Sequence, residues 1–284
     1  MIEVVNIVDD LFSLRSESNI EEFSRMYKSR VDLPLELDAF PNTISRVKVE
    51  SLSRVPISLI SMGIQSGSAD TLRHIFKRPT PLEKIVEGIN AFADKGIRAE
   101  YHYIVNNPFE PDANRIETLR FAATHHRGPA VLRVFPLQFY PGTPLYDRAR
   151  EAGLIGQRHQ SAYEYTYTGR THLLQSAYLD IWLRVVLNLR NVGVPSSLVH
   201  RLIDEVVNPA VRRVFDRRWF APTAYWMYRA GRFVLRKMIY QPFVRPFRYL
   251  RRKPRYEELH PEDEVTLPRN RMPAAPKTVA EKAA

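Results

Sequence analysis

Leu59–Ser68, LISMGIQSGS, is an apolar alternating run that closes on Gly63-Ile64-Gln65-Ser66-Gly67-Ser68 and leads directly into a segment with helical spacing. A strand that releases backbone amides and short hydroxyls at its carboxyl end, just ahead of a helix, is a place where a polar small molecule can be held. Comparable junctions recur at Val105–Glu110 (VNNPFE) and at Phe139–Leu145 (FYPGTPL). Three such ends in series predict one shared mouth.

On both sides of that stretch the rhythm is strand, loop, helix. Ile2–Val8 reads as a short strand ending at Asp9-Asp10, and Ile20, Phe23 and Tyr27 then recur at helical spacing behind an Asn19 cap. Leu33–Phe40 is the second strand; Asn42 or Thr43 caps a helix that turns Ile44, Val47 and Leu52 inward. After a third strand, Ile57–Met62, the run Thr80-Pro81-Leu82-Glu83 predicts a capping box. The helix it opens has Leu82, Ile85, Val86, Ile89 and Phe92 on one face and Gly96 as its left-handed stop. Ile97–Val105 with Asp112–His126, and Ala130–Phe139 with Pro144–Ala152, complete five consecutive units. Such alternation implies parallel strands joined by right-handed crossovers, in an open doubly wound sheet or in a full or partial barrel. Either arrangement gathers chemistry at the carboxyl ends of strands, which here carry Asp9 and Asp10, Gln65 to Ser68, Asn106 to Glu110, and Gln138 to Thr143.

With 284 residues, 44% of them hydrophobic, the chain can bury a substantial core. It contains no cysteine, which excludes disulfides, a thiol nucleophile and every thiolate metal ligand. The net charge is +11, and arginines crowd the last third, from Arg212 to Arg255. That field favours an anionic surface, lipid head groups ahead of nucleic acid. Asp180, Arg184 and Arg190 interrupt the most apolar stretch, so no run is long enough to cross a bilayer, and Glu3, Asp9 and Asp10 stand where a signal peptide needs basic and then apolar residues. A cytoplasmic location, with peripheral contact to a membrane face through residues 219–255, is the expectation. The rhythm divides the chain into a strand-helix core over 1–153, a helical and basic extension over 154–250, and a proline- and charge-rich tail over 251–284 expected to be disordered. Within the extension, His172–Asn191 and Leu198–Val207 read as helices, and Trp219–Leu250 as a basic, aromatic one.

The segments Ile7-Val8-Asp9-Asp10-Leu11-Phe12, Met62–Ser68, Asn107–Glu110 and Phe139–Tyr146, in that order across residues 1–153, resemble the radical SAM superfamily. The nearest group is the one in which a cobalamin-binding domain precedes the core. The resemblance implies a partial TIM-like barrel of six units, five of which this sequence supplies, with the first strand and its three-cysteine loop for a 4Fe-4S cluster lying upstream. It implies that Asp9 and Asp10 accept from the amino group of S-adenosylmethionine (SAM), a three-way donor. It further implies that Gln65, Ser66 and Ser68 contact ribose and carboxylate, that Asn106, Asn107 and Glu110 form the next strand's motif, and that Phe139 and Tyr140 meet the adenine. The cofactors implied are SAM, a cluster that this chain has no cysteine to ligate, and cobalamin through an upstream domain. Two expectations follow: the carboxyl-terminal part of a radical SAM enzyme acting on an unknown substrate, or a non-catalytic SAM-binding or scaffolding remnant of that fold. A missing first unit would leave Ile2–Val8 as an exposed sheet edge.

Each group also has a plainer reading. Asp9-Asp10 can be a turn, Ser68 a helix cap, Glu110 a first-turn acid on a helix dipole, and His125-His126 a helix terminus. His102, alternating with Tyr101 and Tyr103, reads as barrel lining.

Overall fold

In a computed structural model of the chain the alternating segments become five strands: β1 (Val5–Ile7), β2 (Leu35–Ala39), β3 (Ile57–Gln65), β4 (Ala99–Val105) and β5 (Val131–Pro136). They lie side by side in chain order, each parallel to the next. A doubly wound sheet reverses its order at a switch point, and this one does not, so the sheet is that of a partial TIM-like barrel. The structure describes residues 4–9, 12–128, 130–155, 177–217, 220, 223, 224, 226 and 227.

A helix follows every strand: α1 (Glu17–Arg30), α2 (Arg46–Leu52), α3 (Leu82–Asp94), α4 (Asp112–His125) and α5 (Pro144–Glu151). Between β3 and α3 the chain makes a short π-helical segment, Thr71–Ile75. Strand alternation sorts the two faces of the sheet. Leu35 and Leu37 of β2, Ile60, Met62 and Ile64 of β3, and Tyr101, Tyr103 and Val105 of β4 are buried in one core with Ile20, Val49, Ile85, Ile89, Phe92 and Leu119 from the helices. The opposite face carries Asn6, Glu36, Asp38, Ser61, Gly63, Glu100, His102 and Arg133. That is the division between the helix-covered outside of a barrel and its lumen.

Helix starts depart from expectation where short hydroxyls compete. Ser16 caps α1, its hydroxyl accepting from the Asn19 amide. Ser45 caps α2, beyond Asn42 and Thr43, and the later start turns Val49 inward and leaves Val47 exposed. The capping box at α3 is not made: Pro81 is the cap residue and no side chain bonds the first turn. The amide of Thr80 instead closes a tight turn onto the Arg78 carbonyl at 2.7 Å. Gly96 supplies the expected left-handed stop, with φ +63°.

The extension adds α6 (Tyr178–Asn191), α7 (Ser196–Val207) and α8 (Pro209–Phe215). Leu183, Val186 and Leu187 of α6 and Val199, Ile203 and Val206 of α7 join the same core as the sheet. Two polar stitches hold α6 to β5: Arg184 Nη2 donates to the Val134 carbonyl at 3.0 Å, and Asn191 Oδ1 accepts from the Ala130 amide at 2.7 Å. The chain divides into two compact units after Tyr225, and of the second only Trp226 and Met227 are among the described residues. The expectations for Trp219–Leu250 and for the membrane contact over 219–255 reach the described residues only at Phe220, Thr223, Ala224, Trp226 and Met227, and that for the tail 251–284 lies outside them. No helix of the described residues is long and apolar enough to cross a membrane.

Candidate functional site

Parallel strands in sequential order bring every carboxyl end to one rim. Asp9 lies two residues past β1, Gln65 ends β3, Asn106 follows β4, and Gln138 to Tyr140 follow β5. Gln65 and Asn106 sit on neighbouring strands and both take left-handed backbone, φ +67° and +58°. Asparagine tolerates that region through its short side chain, but for glutamine it costs about 1–2 kcal/mol. The unusual backbone folds the Gln65 side chain back over Gly63, where a Cβ would stand only 2.5 Å from Gln65 Nε2. Arg78 reaches the same place: its Nη1 lies 3.7 Å from that Cβ position, and its guanidinium stacks over the Phe40 ring at 5.2 Å. Lys77, also left-handed at φ +53°, makes the turn just before it. Burial pulls the Arg78 guanidinium below its ordinary pKa, and among the described residues no carboxylate pairs with it. Nothing in the sequence distinguished Arg78 from a surface arginine, because its place depends on a loop folding back across two strands.

Behind the rim lies a buried hydrogen-bonded tier. Ser66 Oγ and Thr118 Oγ1 are 2.9 Å apart, and the Gly67 amide donates to the same threonine at 3.0 Å. Glu110 Oε1 accepts from Thr71 Oγ1 at 2.8 Å and from Ser66 Oγ at 3.4 Å. Asn114 Nδ2 bridges Asp70 and Thr71, and Ser68 Oγ meets the Thr71 amide at the cap position. These bonds tie the elbow after β3 to α4. Burial is the main cause raising the Glu110 carboxyl above its ordinary range, with the Asp180 charge adding to it, against the hydrogen bonds and Arg115, which lower it.

The loop after β4 is fixed from α6. Asp180 Oδ2 accepts from the Asn106 amide at 2.8 Å, and Arg115 Nη2 donates to the Asn107 carbonyl at 2.6 Å. Arg115 Nε stands 3.9 Å from Glu110 Oε2 and 3.8 Å from Asp180 Oδ1, one guanidinium between two buried acids. Burial also raises the Asp180 carboxyl, against the pull of Arg115. Asn107 is fully buried; its Oδ1 accepts from the Phe109 amide at 3.0 Å, and its Nδ2 has no partner among the described residues.

The expected site residues thus fall into two tiers. Gln65, Asn106, Phe139 and Tyr140 line the open side of the rim, whereas Ser66, Ser68, Asn107 and Glu110 are buried behind it. Asp9 is at the rim too, paired with Arg15 at 2.8 Å; Asp10 lies outside the described residues. Phe139 meets Phe109 edge-on at 6.3 Å, with Arg148 over the Phe109 ring at 4.1 Å, and the Tyr140 hydroxyl donates to Gln138 Oε1 at 3.0 Å. Arg115, Thr71, Asn114 and Thr118 carry no mark in the sequence, and Asp180 shows there only as a charge within an apolar stretch. Among the described residues no group of three histidines, aspartates or glutamates could hold a metal ion. With no cysteine in the chain, its residues do not fit a thiolate-held iron–sulfur cluster.

Several solved structures share part of this arrangement. No family model and no curated protein matches the chain. An archaeal Elp3 from Methanocaldococcus infernus aligns at 15% identity and TM-score 0.41, over 52% of this chain and 40% of its own. TsrM from Kitasatospora setae, a radical S-adenosylmethionine methyltransferase solved with cobalamin and a [4Fe-4S] cluster, aligns at 16% identity and TM-score 0.44, over 53% of this chain and 29% of its own. HemN from Escherichia coli, a coproporphyrinogen III oxidase described as a radical SAM enzyme, aligns at 18% identity and TM-score 0.41, over 62% of this chain and 37% of its own. The chain spans well under half the length of each. These are likenesses of strand-helix arrangement, and the chemistry of those enzymes is theirs.

Proposed function

We propose that the rim binds S-adenosylmethionine and that the chain is the SAM-binding part of a radical SAM-type protein. The observation that carries this reading is the strained Gln65, folded over Gly63 beside Arg78 and next to an equally left-handed Asn106. Backbone strain of this kind persists where a site requires it. SAM presents a carboxylate, an ammonium, a ribose diol and an adenine. Arg78 suits the carboxylate, Asp9 and Asp10 the ammonium, the Gln65 amide the ribose, and Phe139 with Tyr140 the adenine. In this reading Ser66, Ser68 and Glu110 hold the loops that present those groups, and Asn107 keeps one donor, Nδ2, unspent. The order of motifs along the sequence supports SAM over another nucleoside. The chain's own share is binding and orientation, which an enzyme and a non-catalytic SAM-binding protein would have in common.

Calorimetric titration of the whole chain with SAM, and with methylthioadenosine, which lacks the amino-acid moiety, tests the assignment. Arg78→Met is expected to weaken SAM about tenfold, a loss of roughly 1.4 kcal/mol, and to leave methylthioadenosine unchanged. Gln65→Ala is expected to weaken both, and Asp10→Ala only SAM. A folded wild-type chain that binds neither ligand ends the proposal.

A further inference from the structure

The lumen face of the sheet carries a second cluster beside the rim. Glu100 and His102 are two residues apart on β4 and share a face, and Arg133 stands opposite His102 on β5. Glu100 Oε1 lies 2.7 Å from His102 Nε2, and Glu100 Oε2 accepts from Arg133 Nε at 3.2 Å. The glutamate side chain is only 11% exposed, that of His102 27% and that of Arg133 51%. Burial alone would raise the Glu100 carboxyl, but His102 and Arg133 outweigh it and hold the group below its ordinary value. An ionised Glu100 accepts from Nε2–H, which fixes the orientation of the ring and leaves Nδ1 facing away.

Both carboxylate oxygens are therefore spent on their neighbours, and what remains is unused capacity. Arg133 engages Glu100 through Nε, which among the described residues leaves the Nη1–Nη2 edge of its fork open, the edge that receives a carboxylate in bidentate fashion. Among the described residues no acceptor meets that edge or His102 Nδ1. Phe135, on the same face of β5, is 45% exposed and stands perpendicular to the His102 ring at 5.3 Å. An exposed aromatic ring beside an open guanidinium edge matches an apolar acid. Gly63, the β3 partner of His102, places no side chain between this cluster and the rim group of Gln65 and Arg78. The acids of the same face, Glu36 and Asp38, belong to β2, two strands from β4 and three from β5, so roughly 10 Å from Glu100 and roughly 14 Å from Arg133.

We propose that Arg133 binds the carboxylate of a second ligand, an aromatic or otherwise apolar carboxylic acid lying against Phe135, with Glu100 as the positioning residue that holds the guanidinium through Nε. Arg133 would grip the oxyanion end-on through its Nη1–Nη2 edge, with the ligand's apolar part against Phe135.

Benzoate serves as the probe and benzamide as its uncharged counterpart. In the full chain, with the His102 ring and Arg133 Nε–H followed by NMR, benzoate is expected to shift both saturably. Benzamide is expected to bind at least about tenfold more weakly, and Arg133→Met to weaken benzoate about tenfold. Arg133→Lys, which keeps the charge and loses the fork, falls between, and Glu100→Gln, which loosens the hold on Nε, weakens benzoate and moves the Arg133 Nε–H resonance of the free chain. Equal binding of benzoate and benzamide, the absence of saturation, or wild-type benzoate affinity in both Arg133 variants overturns the assignment. SAM takes no part in this test, so its outcome is separate from that of the rim.

Discussion

Gly63 and Gly67 stand four residues apart and exclude a side chain for different reasons. At Gly63 the obstacle to a Cβ is the far end of the flexible Gln65 side chain, 2.5 Å away, which can swing aside. Gly63→Ala should therefore leave unfolding within about 0.5 kcal/mol of wild type. SAM affinity should nevertheless fall about tenfold, because the displaced amide is the proposed ribose contact. Denaturation and calorimetry on the same preparation separate the two effects, and unchanged affinity would remove Gln65 from the site. At Gly67 a Cβ would meet Phe121 Cβ at 2.4 Å and Cγ at 2.7 Å, both part of the packed α4 interface. Gly67→Ala should cost about 1–3 kcal/mol as overpacking, read as a lower urea midpoint at constant slope.

The helix α6 does more than cover the sheet. Its Asp180 accepts the amide of Asn106 and shares Arg115 with Glu110, so an element from the extension sets the backbone of the rim. Asp180→Ala leaves that amide without its acceptor, while Arg115 keeps Glu110 and the Asn107 carbonyl, and should destabilise by about 2–3 kcal/mol. Asp180→Asn keeps an acceptor for the amide and should cost about 1–2 kcal/mol. Faster amide exchange confined to the loop after β4 in Asp180→Asn is the expected signature; protection equal to wild type would show that the loop holds itself. Asp180 was visible in the sequence only as a charge interrupting an apolar helix. Its role depends on the packing of α6 against α4, which brings a helix side chain to a strand end 74 residues earlier.

Across the whole molecule, stability should respond to pH through buried groups of opposite sign. His126 is buried, edge-on to Tyr101 at 5.8 Å, and burial depresses its pKa from 6.5 to about 4. Its contribution is present above pH 6.5 and is lost as pH falls toward 4, a change of about 3 kcal/mol from the shift of 6.5 to about 4. Glu110 and Asp180, raised by burial, contribute most in acid and lose that contribution as pH rises through their folded values. The difference between wild type and His126→Gln in urea melts from pH 7 to 4 isolates the histidine. A parallel pair of curves would show that His126 is not held neutral. Ile85, Ile89 and Phe92 of α3, the alternation of β4 and the stop at Gly96 could all be read in advance, because periodicity and turn chemistry are local. The sequence by itself thus determined five strand-helix units, the inward faces of α3 and β4 and the lack of any thiolate. Only the tertiary structure decided between doubly wound sheet and partial barrel, because strand order is a relation between segments. It also separated the rim residues Gln65 and Asn106 from Ser66 and Glu110 behind them, through bonds such as Ser66 to Thr118, 52 residues apart. Partners that meet only when distant elements pack leave no periodic mark on either segment.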